Sequence, residues 1–313
     1  MVIKILFLLW LVCVTAEPSC PPNENIAPSC ICRVFDTFSV MTCNNIMSTD
    51  QLIRPIRATQ GYEIFSIVIE DSSLLYIPSD IFKNTHVGKV YFRNSQVMAL
   101  SDSDLAFEGL ENSLEEIIAT STQYVTTWDW SQLRNLKKLW AIKVDNIGMH
   151  TVDKEFPHLQ YMSLLEIRRA KISFLHPDAF SGLPNLAVLI LKQNEISKFK
   201  RSMLPDPANK LHHLDLSHNL LETLPENMFK NMPNLGEIYL SHNKLLTLNE
   251  ETFSPVIKKL QLLMLTGNAL QCDCRMRWIV GYFTHLHLEG ECEQPPPMRG
   301  RTLRYLKHID FYC

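Results

Sequence analysis

LHHLDLSHNLLETLPENMF, residues 211–229, decides how this chain is read. His212, His213, Asp215 and His218 fall within seven residues of one another. Imidazoles and a carboxylate at that density suit a metal centre in an enzyme. The leucines offer a second reading. Leu211, Leu214, Leu216 and Leu221, with Asn219 between them, spell L-x-x-L-x-L-x-x-N-x-L. In that reading the histidines only fill the polar gaps. A spacing of this kind has meaning if it recurs, so the chain is searched for a period.

It recurs. LAVLILKQNEI starts at 186, LGEIYLSHNKL at 235 and LQLLMLTGNAL at 260, so that with 211 the starts lie 24 or 25 residues apart. Towards the N-terminus the pattern weakens but persists: MSLLEIRRAKI at 162, LKKLWAIKVDN at 136, LEEIIATSTQY at 114, VGKVYFRNSQV at 87 and IFSIVIEDSSL at 64. Nine repeats of about 24 residues predict an α/β solenoid. Each repeat supplies one short strand of a parallel concave sheet and returns along the convex side. Positions one, four, six and eleven then stack into a continuous core that no single repeat could bury. In the connections, Phe180, Phe229 and Phe253 are expected to fill that core from behind.

Position nine carries Asn194, Asn219, Asn243 and Asn268, whose amides can bond buried backbone groups of neighbouring repeats. In the earlier repeats it reads Ser72, Ser95, Thr122, Val144 and Ala170. A hydroxyl replaces part of that bonding and an aliphatic side chain none, so weaker backbone order is expected around residues 140–172.

A solenoid exposes its core at both ends and needs lids. Nine cysteines are placed to supply them. Cys13 lies in an apolar run that follows Lys4 and precedes small residues. Residues 1–16 read as a secretory signal peptide, too short to span a membrane, and imply an extracellular, oxidising destination. The remaining eight form two groups of four: Cys20, Cys30, Cys32 and Cys43, then Cys272, Cys274, Cys292 and Cys313. Disulfides are the expectation in a secreted chain, with three connectivities open to each group. The organisation is therefore 1–16 signal, 17–63 N-terminal cap and lead-in, 64–270 repeats, and 271–313 C-terminal cap.

These motifs resemble the extracellular leucine-rich repeat proteins with cysteine-rich caps, over nearly the whole mature chain. The tail NALQCDCRMRWIVGYF resembles the family's C-terminal cap, with Trp278 where that cap buries an aromatic. The resemblance implies a horseshoe and first-to-third, second-to-fourth pairing: Cys20–Cys32, Cys30–Cys43, Cys272–Cys292 and Cys274–Cys313. The CPP…CxC…C head, the Asn-poor early repeats and ETFSPVIKKLQLLMLTGNALQCDC are similar to a group of arthropod secreted proteins. That group is named for the non-catalytic subunit of oplophorus-luciferin 2-monooxygenase, which implies an accessory role beside a separate catalytic chain.

Side chains alternate along a strand, so positions three and five face the concave side. Position five reads Val68, Tyr91, Ile118, Trp140, Glu166, Ile190, Asp215, Tyr239 and Met264, an apolar and aromatic row about 40 Å long at roughly 4.8 Å per strand. Such a surface suits a protein partner, with Tyr91, Trp140, Ile190 and Tyr239 as its anchors. Lys137, Lys138, Lys143, Arg168, Arg169 and Lys192 form a candidate basic patch mid-sheet, and Glu70, Asp71, Glu115 and Glu116 an acidic N-terminal end. The formal net charge is −3, with no overall basic excess, so nucleic acid is discounted as a partner. No H-E-x-x-H, G-x-S-x-G, P-loop or G-x-G-x-x-G is present, and no cofactor is expected. The alternative is a metal-dependent or oxygen-using enzyme built on His212, His213, His218 and His242.

Overall fold

The computed structural model describes residues 19–121 and 128–311. The expected signal segment, the ladder position Thr122, and Cys313 of the Cys274–Cys313 pair lie outside the described residues. A twelve-stranded sheet runs through the molecule in chain order. β1 (Cys30–Phe35) and β2 (Phe38–Asn44) form an antiparallel hairpin. From β2 onward all neighbours are parallel. The strands are β3 (Glu63–Glu70), β4 (His86–Arg93), β5 (Glu116–Thr120), β6 (Ala141–Asp145), β7 (Leu164–Arg168) and β8 (Val188–Ile190). β9 (His213–Asp215), β10 (Glu237–Tyr239), β11 (Leu262–Met264) and β12 (His287–Glu289) complete the sheet. Nine of these strands belong to the nine repeats. The hairpin and β12 extend the sheet beyond them at either end.

The repeat leucines make the core. Leu211, Leu214, Leu216 and Leu221 are all buried, as are their counterparts in the flanking repeats. Each full burial of such a side chain contributes about 1.5–3 kcal/mol of hydrophobic stabilisation. Behind the sheet, rings line up from repeat to repeat. Phe82 meets Phe107 at 5.9 Å, Trp130 stacks on Phe156 at 4.8 Å, Phe156 meets Phe180 at 5.8 Å, and Phe229 meets Phe253 at 5.1 Å. Trp278 continues the row, 6.1 Å from Phe253, but is half-buried, its indole N–H donating to the Leu248 carbonyl.

Asn at position nine acts as a shared bracket. The Asn219 amide donates to the carbonyls of Leu191 and Leu216, and its Oδ1 accepts from the Ile196 N–H. Asn243 and Asn268 repeat this one and two turns on. Ser72 and Ser95 do part of the work in the first repeats: their hydroxyls accept from Ile46 N–H and Ser72 N–H.

One repeat sits in a register different from the sequence reading. β6 pairs Ala141 with Glu116 and Lys143 with Ile118 on one side, and Ala141 with Leu164 on the other. The repeat therefore starts at Leu139, not Leu136. Leu136 is also buried, and so are Leu159, Leu183, Ala208, Met232 and Ile257, each three residues before the first core residue of its own repeat. Two registers three apart thus satisfy the same leucine pattern. Val144 moves to position six in the core, and position nine becomes Ile147. The less regular backbone expected around 140–172 does not extend to the sheet or to the turn after β7. β6 and β7 pair over five residues, and the N–H groups of Ala170 and Ile172 are bonded by the Asn194 Oδ1.

A backbone feature marks the register independently. Residue eight of every repeat has positive φ: Asp71, Asn94, Ser121, Asn146, Arg169, Gln193, His218, His242 and Gly267, between 46° and 75°. The chain leaves each strand through this left-handed residue. Asn, Asp, His and Gly tolerate that region best, which accounts for most of the column.

At the ends, Cys20 bonds Cys32 and Cys30 bonds Cys43, fixing the hairpin over the first repeat; Cys272 bonds Cys292 across the last. Cys274 is disulfide-bonded as well. The longest α-helix among the described residues, Asp50–Arg57, lies on the N-terminal lead-in. No helix there is long and apolar enough to cross a membrane.

Candidate functional site: the concave face

Strand register turns the alternation of side chains into rows. The fifth-position row is Val68, Tyr91, Ile118, Lys143, Glu166, Ile190, Asp215, Tyr239 and Met264, extended by Thr42 and Glu289 from the end strands. Tyr91, Ile190 and Tyr239 stand in it, each half-exposed. Trp140 does not. It precedes β6 on the rim, its carbonyl accepting from Ser163 and Leu164 N–H, with the Lys143 ammonium 5.8 Å from its ring centre. The three-residue register shift puts Lys143 where Trp140 was expected.

The N-terminal half of the face is organised by charge. Glu116, only 4% exposed, holds the Lys89 ammonium at 2.5 Å and the Lys143 ammonium at 3.2 Å. Burial pushes its carboxyl up, but the hydrogen bonds and charges of the two lysines outweigh this and leave its pKa below the ordinary value. Arg93 pairs with Glu70 at 3.3 Å and lies over the Tyr91 ring at 5.0 Å, while the Tyr91 hydroxyl meets Thr120 Oγ1 at 3.2 Å. Arg168 pairs with Glu166 and Asp145, and Arg169 with Asp145. The expected mid-sheet basic patch is thus largely neutralised across strands. Lys137 and Lys138 fall before β6 and leave the face. Opposite charges at position three of adjacent repeats, Lys89 and Glu116, were the sequence signal for this cluster.

The Glu116 pair of bridges has a consequence in acid. Because the folded-state pKa is depressed, its stabilisation is present above the unfolded value and is lost as pH falls through the folded one. Glu116→Gln is therefore expected to lower the urea midpoint at pH 7 and to flatten its fall between pH 5 and pH 3. A wild-type and variant acid limb of equal slope would contradict the assignment.

The C-terminal half differs. Strands β9–β12 carry Asp215, Glu237 and Glu289 and contain no Lys or Arg. His213 Nδ1 lies 2.8 Å from Glu237 Oε2, its ring 4.9 Å from that of Tyr239. Burial and the neighbouring Glu237 carboxylate raise the Tyr239 phenol above its ordinary pKa. Asp215, buried, accepts from the N–H and hydroxyl of Ser217.

The four histidines do not share a site. His212 is exposed at the rim and His213 faces the concave side. His218 and His242 leave from the opposite end of their strands at the left-handed eighth position. His213 opens its strand, and His218 lies beyond the strand's end at the left-handed turn. His218 and His242 stack at 4.3 Å with 19° between their planes, and burial, together with the His242 and Lys192 charges, lowers the His218 pKa. Among the described residues no group of three or more His, Cys, Asp or Glu side chains is arranged to hold a metal ion.

A family model described as leucine rich repeat matches residues 149–205 and 209–270. The chain is a leucine-rich repeat protein. Chicken lumican is 32% identical over 261 residues, covering 81% of this chain and 63% of lumican. Mouse Toll-like receptor 9 is 34% identical over 153 residues, 45% of this chain but 14% of the receptor. The chain thus spans less than two thirds of the length of these relatives. Among solved structures, the leucine-rich repeat protein fold recurs in a TLR13–ssRNA13 complex at a TM-score of 0.65 and 21% identity, covering 80% of this chain and 35% of that one. An octameric complex of Latrophilin 3, Unc5D and FLRT2 matches at 0.64 and 18%, covering 93% and 98%. At these identities the likeness is one of fold. The resemblance to a luciferase accessory subunit is not shown by these comparisons.

Proposed function

We propose that this leucine-rich repeat protein is an extracellular binding protein that recognises a protein partner through its concave face. The observation that carries the reading is the register: it aligns half-exposed Tyr91, Ile118, Ile190, Tyr239 and Met264 in one row. Apolar and aromatic groups fixed on a rigid sheet lose little entropy on binding and dominate interface energies. Paired charges flank them and would set orientation. The carboxylates of β9–β12, strands that contain no Lys or Arg, favour a protein over a phosphate backbone.

Affinity purification from the native fluid, followed by mass spectrometry, tests this. The wild-type protein is expected to retain a specific partner. A Tyr91→Ala/Tyr239→Ala variant, folded by circular dichroism, is expected to bind it at least about tenfold more weakly. Equal affinity would overturn the assignment of the face. The accessory role implied by the head and tail motifs is a narrower form of the same reading: the retained partner would then be a catalytic chain of a luciferase-type monooxygenase.

A further inference from the structure

We propose that a cavity at the rim of the sheet, where β2, β3 and β4 begin, receives the guanidinium of an arginine side chain from a partner. The cavity measures about 310 Å³. Gly88 opens it. This residue stands between Phe65 on β3 and Glu115 before β5, and with no side chain it leaves a notch in the rim; Glu115 N–H donates to its carbonyl. A Cβ at Gly88 would come within 3.1 Å of the Phe65 carbonyl oxygen.

Three features of the lining point to one ligand chemistry. The first is aromatic: Phe38 and Phe65, their rings 4.9 Å apart and both exposed, form one wall. The second is charge. Glu63 and Glu115 line the cavity, and neither forms an ion pair among the described residues; His86, opposite Glu63 in the strand register, lines it as well. The third is an unsatisfied group. Ser113, 8% exposed, contributes to the lining, and its buried hydroxyl has no hydrogen-bond partner. A buried hydroxyl left in that state costs free energy that a bound donor would recover.

A planar cation with several N–H donors fits all three. It can stack on a ring, bond carboxylates on separate sides and still reach the floor, which a compact ammonium does less well. Lys89 also lines the cavity, but its ammonium is held by Glu116 at 2.5 Å and lies over the Phe65 ring, leaving Phe38 as the open platform.

The test uses the whole protein and N-acetyl-arginine-amide in isothermal titration, with the citrulline and lysine counterparts as comparison probes. Saturable one-site binding of the arginine probe is expected, with the lysine probe weaker and no saturable binding of the neutral citrulline probe. Glu115→Gln should reduce affinity about tenfold, as expected for a charge-assisted bond. Ser113→Ala should also weaken binding while leaving thermal stability equal to or above the wild type, because it removes an unpaired buried hydroxyl. No saturable binding, citrulline binding as well as arginine, or a Ser113→Ala protein that loses stability with affinity intact would each overturn the proposal. The inference rests on the protein-recognition reading only for the source of the guanidinium. Failure of the small probe leaves the Tyr91/Tyr239 result untouched, and failure of that variant test leaves the probe result standing.

Discussion

Trp130→Ala is expected to lower the free energy of unfolding by about 3–5 kcal/mol, the range for deleting a large buried aromatic. Trp130 is 2% exposed and lies between two rings: Phe156 stacked at 4.8 Å and Trp128 edge-on at 5.7 Å. Its removal opens a cavity behind β5 and β6 and also unstacks the row on both sides. In a solenoid each repeat touches only its neighbours, so a weakened interface in the middle can uncouple the two halves. Urea unfolding followed by fluorescence and circular dichroism should show a lower midpoint, with the two signals separating as cooperativity is lost. A Trp130→Phe protein should recover most of the stability. A Trp130→Ala protein within 1 kcal/mol of wild type would show that the aromatic row does not bear on the fold.

Asn219→Ala is expected to cost roughly 1–3 kcal/mol, through a different mechanism. The Leu191 and Leu216 carbonyls that Asn219 bonds are also bonded by Asn194 and Asn243, so each keeps one amide partner. The Ile196 N–H is in a different position: the Asn219 Oδ1, at 3.0 Å, is what it donates to. The variant buries that donor unpaired and leaves a small void. Hydrogen exchange should locate the effect, with the Ile196 amide speeding up far more than amides in β3 or β4. Uniform acceleration across the chain would instead mean global destabilisation without a local orphan.

The solenoid could be read in the sequence because its core is written in one residue type at one spacing. Leu211, Leu214, Leu216 and Leu221 announce their positions, and so does the Asn at position nine. The same redundancy hid the register of the repeat at β6. Leu136 and Leu139 are both apolar and both buried, and a template built on leucine cannot choose between them. Asn146, at φ 56°, could have chosen. Its place in the left-handed column is a backbone property that the leucine template does not score. Trp140 was misplaced for that reason alone, whereas Tyr91, Ile190 and Tyr239 stood in unambiguous repeats. The Glu116 bridges and the rim cavity were harder to see. They depend on side chains from three successive strands and, at Gly88, on a missing one. The histidines of 212–218 were legible as residues but not as a group, since only the fold shows that they point to different sides.

The starts of the nine repeats, counted from their first core residue in the observed register, lie 23 to 27 residues apart, yet Val68, Tyr91, Ile118 and Lys143 remain side by side. Interstrand pairing sets that alignment, and the surplus residues fall in the connections between the strands. Length changes in the connections can therefore alter the back and the curvature of the molecule without displacing any contact group on its inner surface. Mutation can lengthen or trim the one side while the other keeps its pattern, so the two surfaces are free to diversify independently.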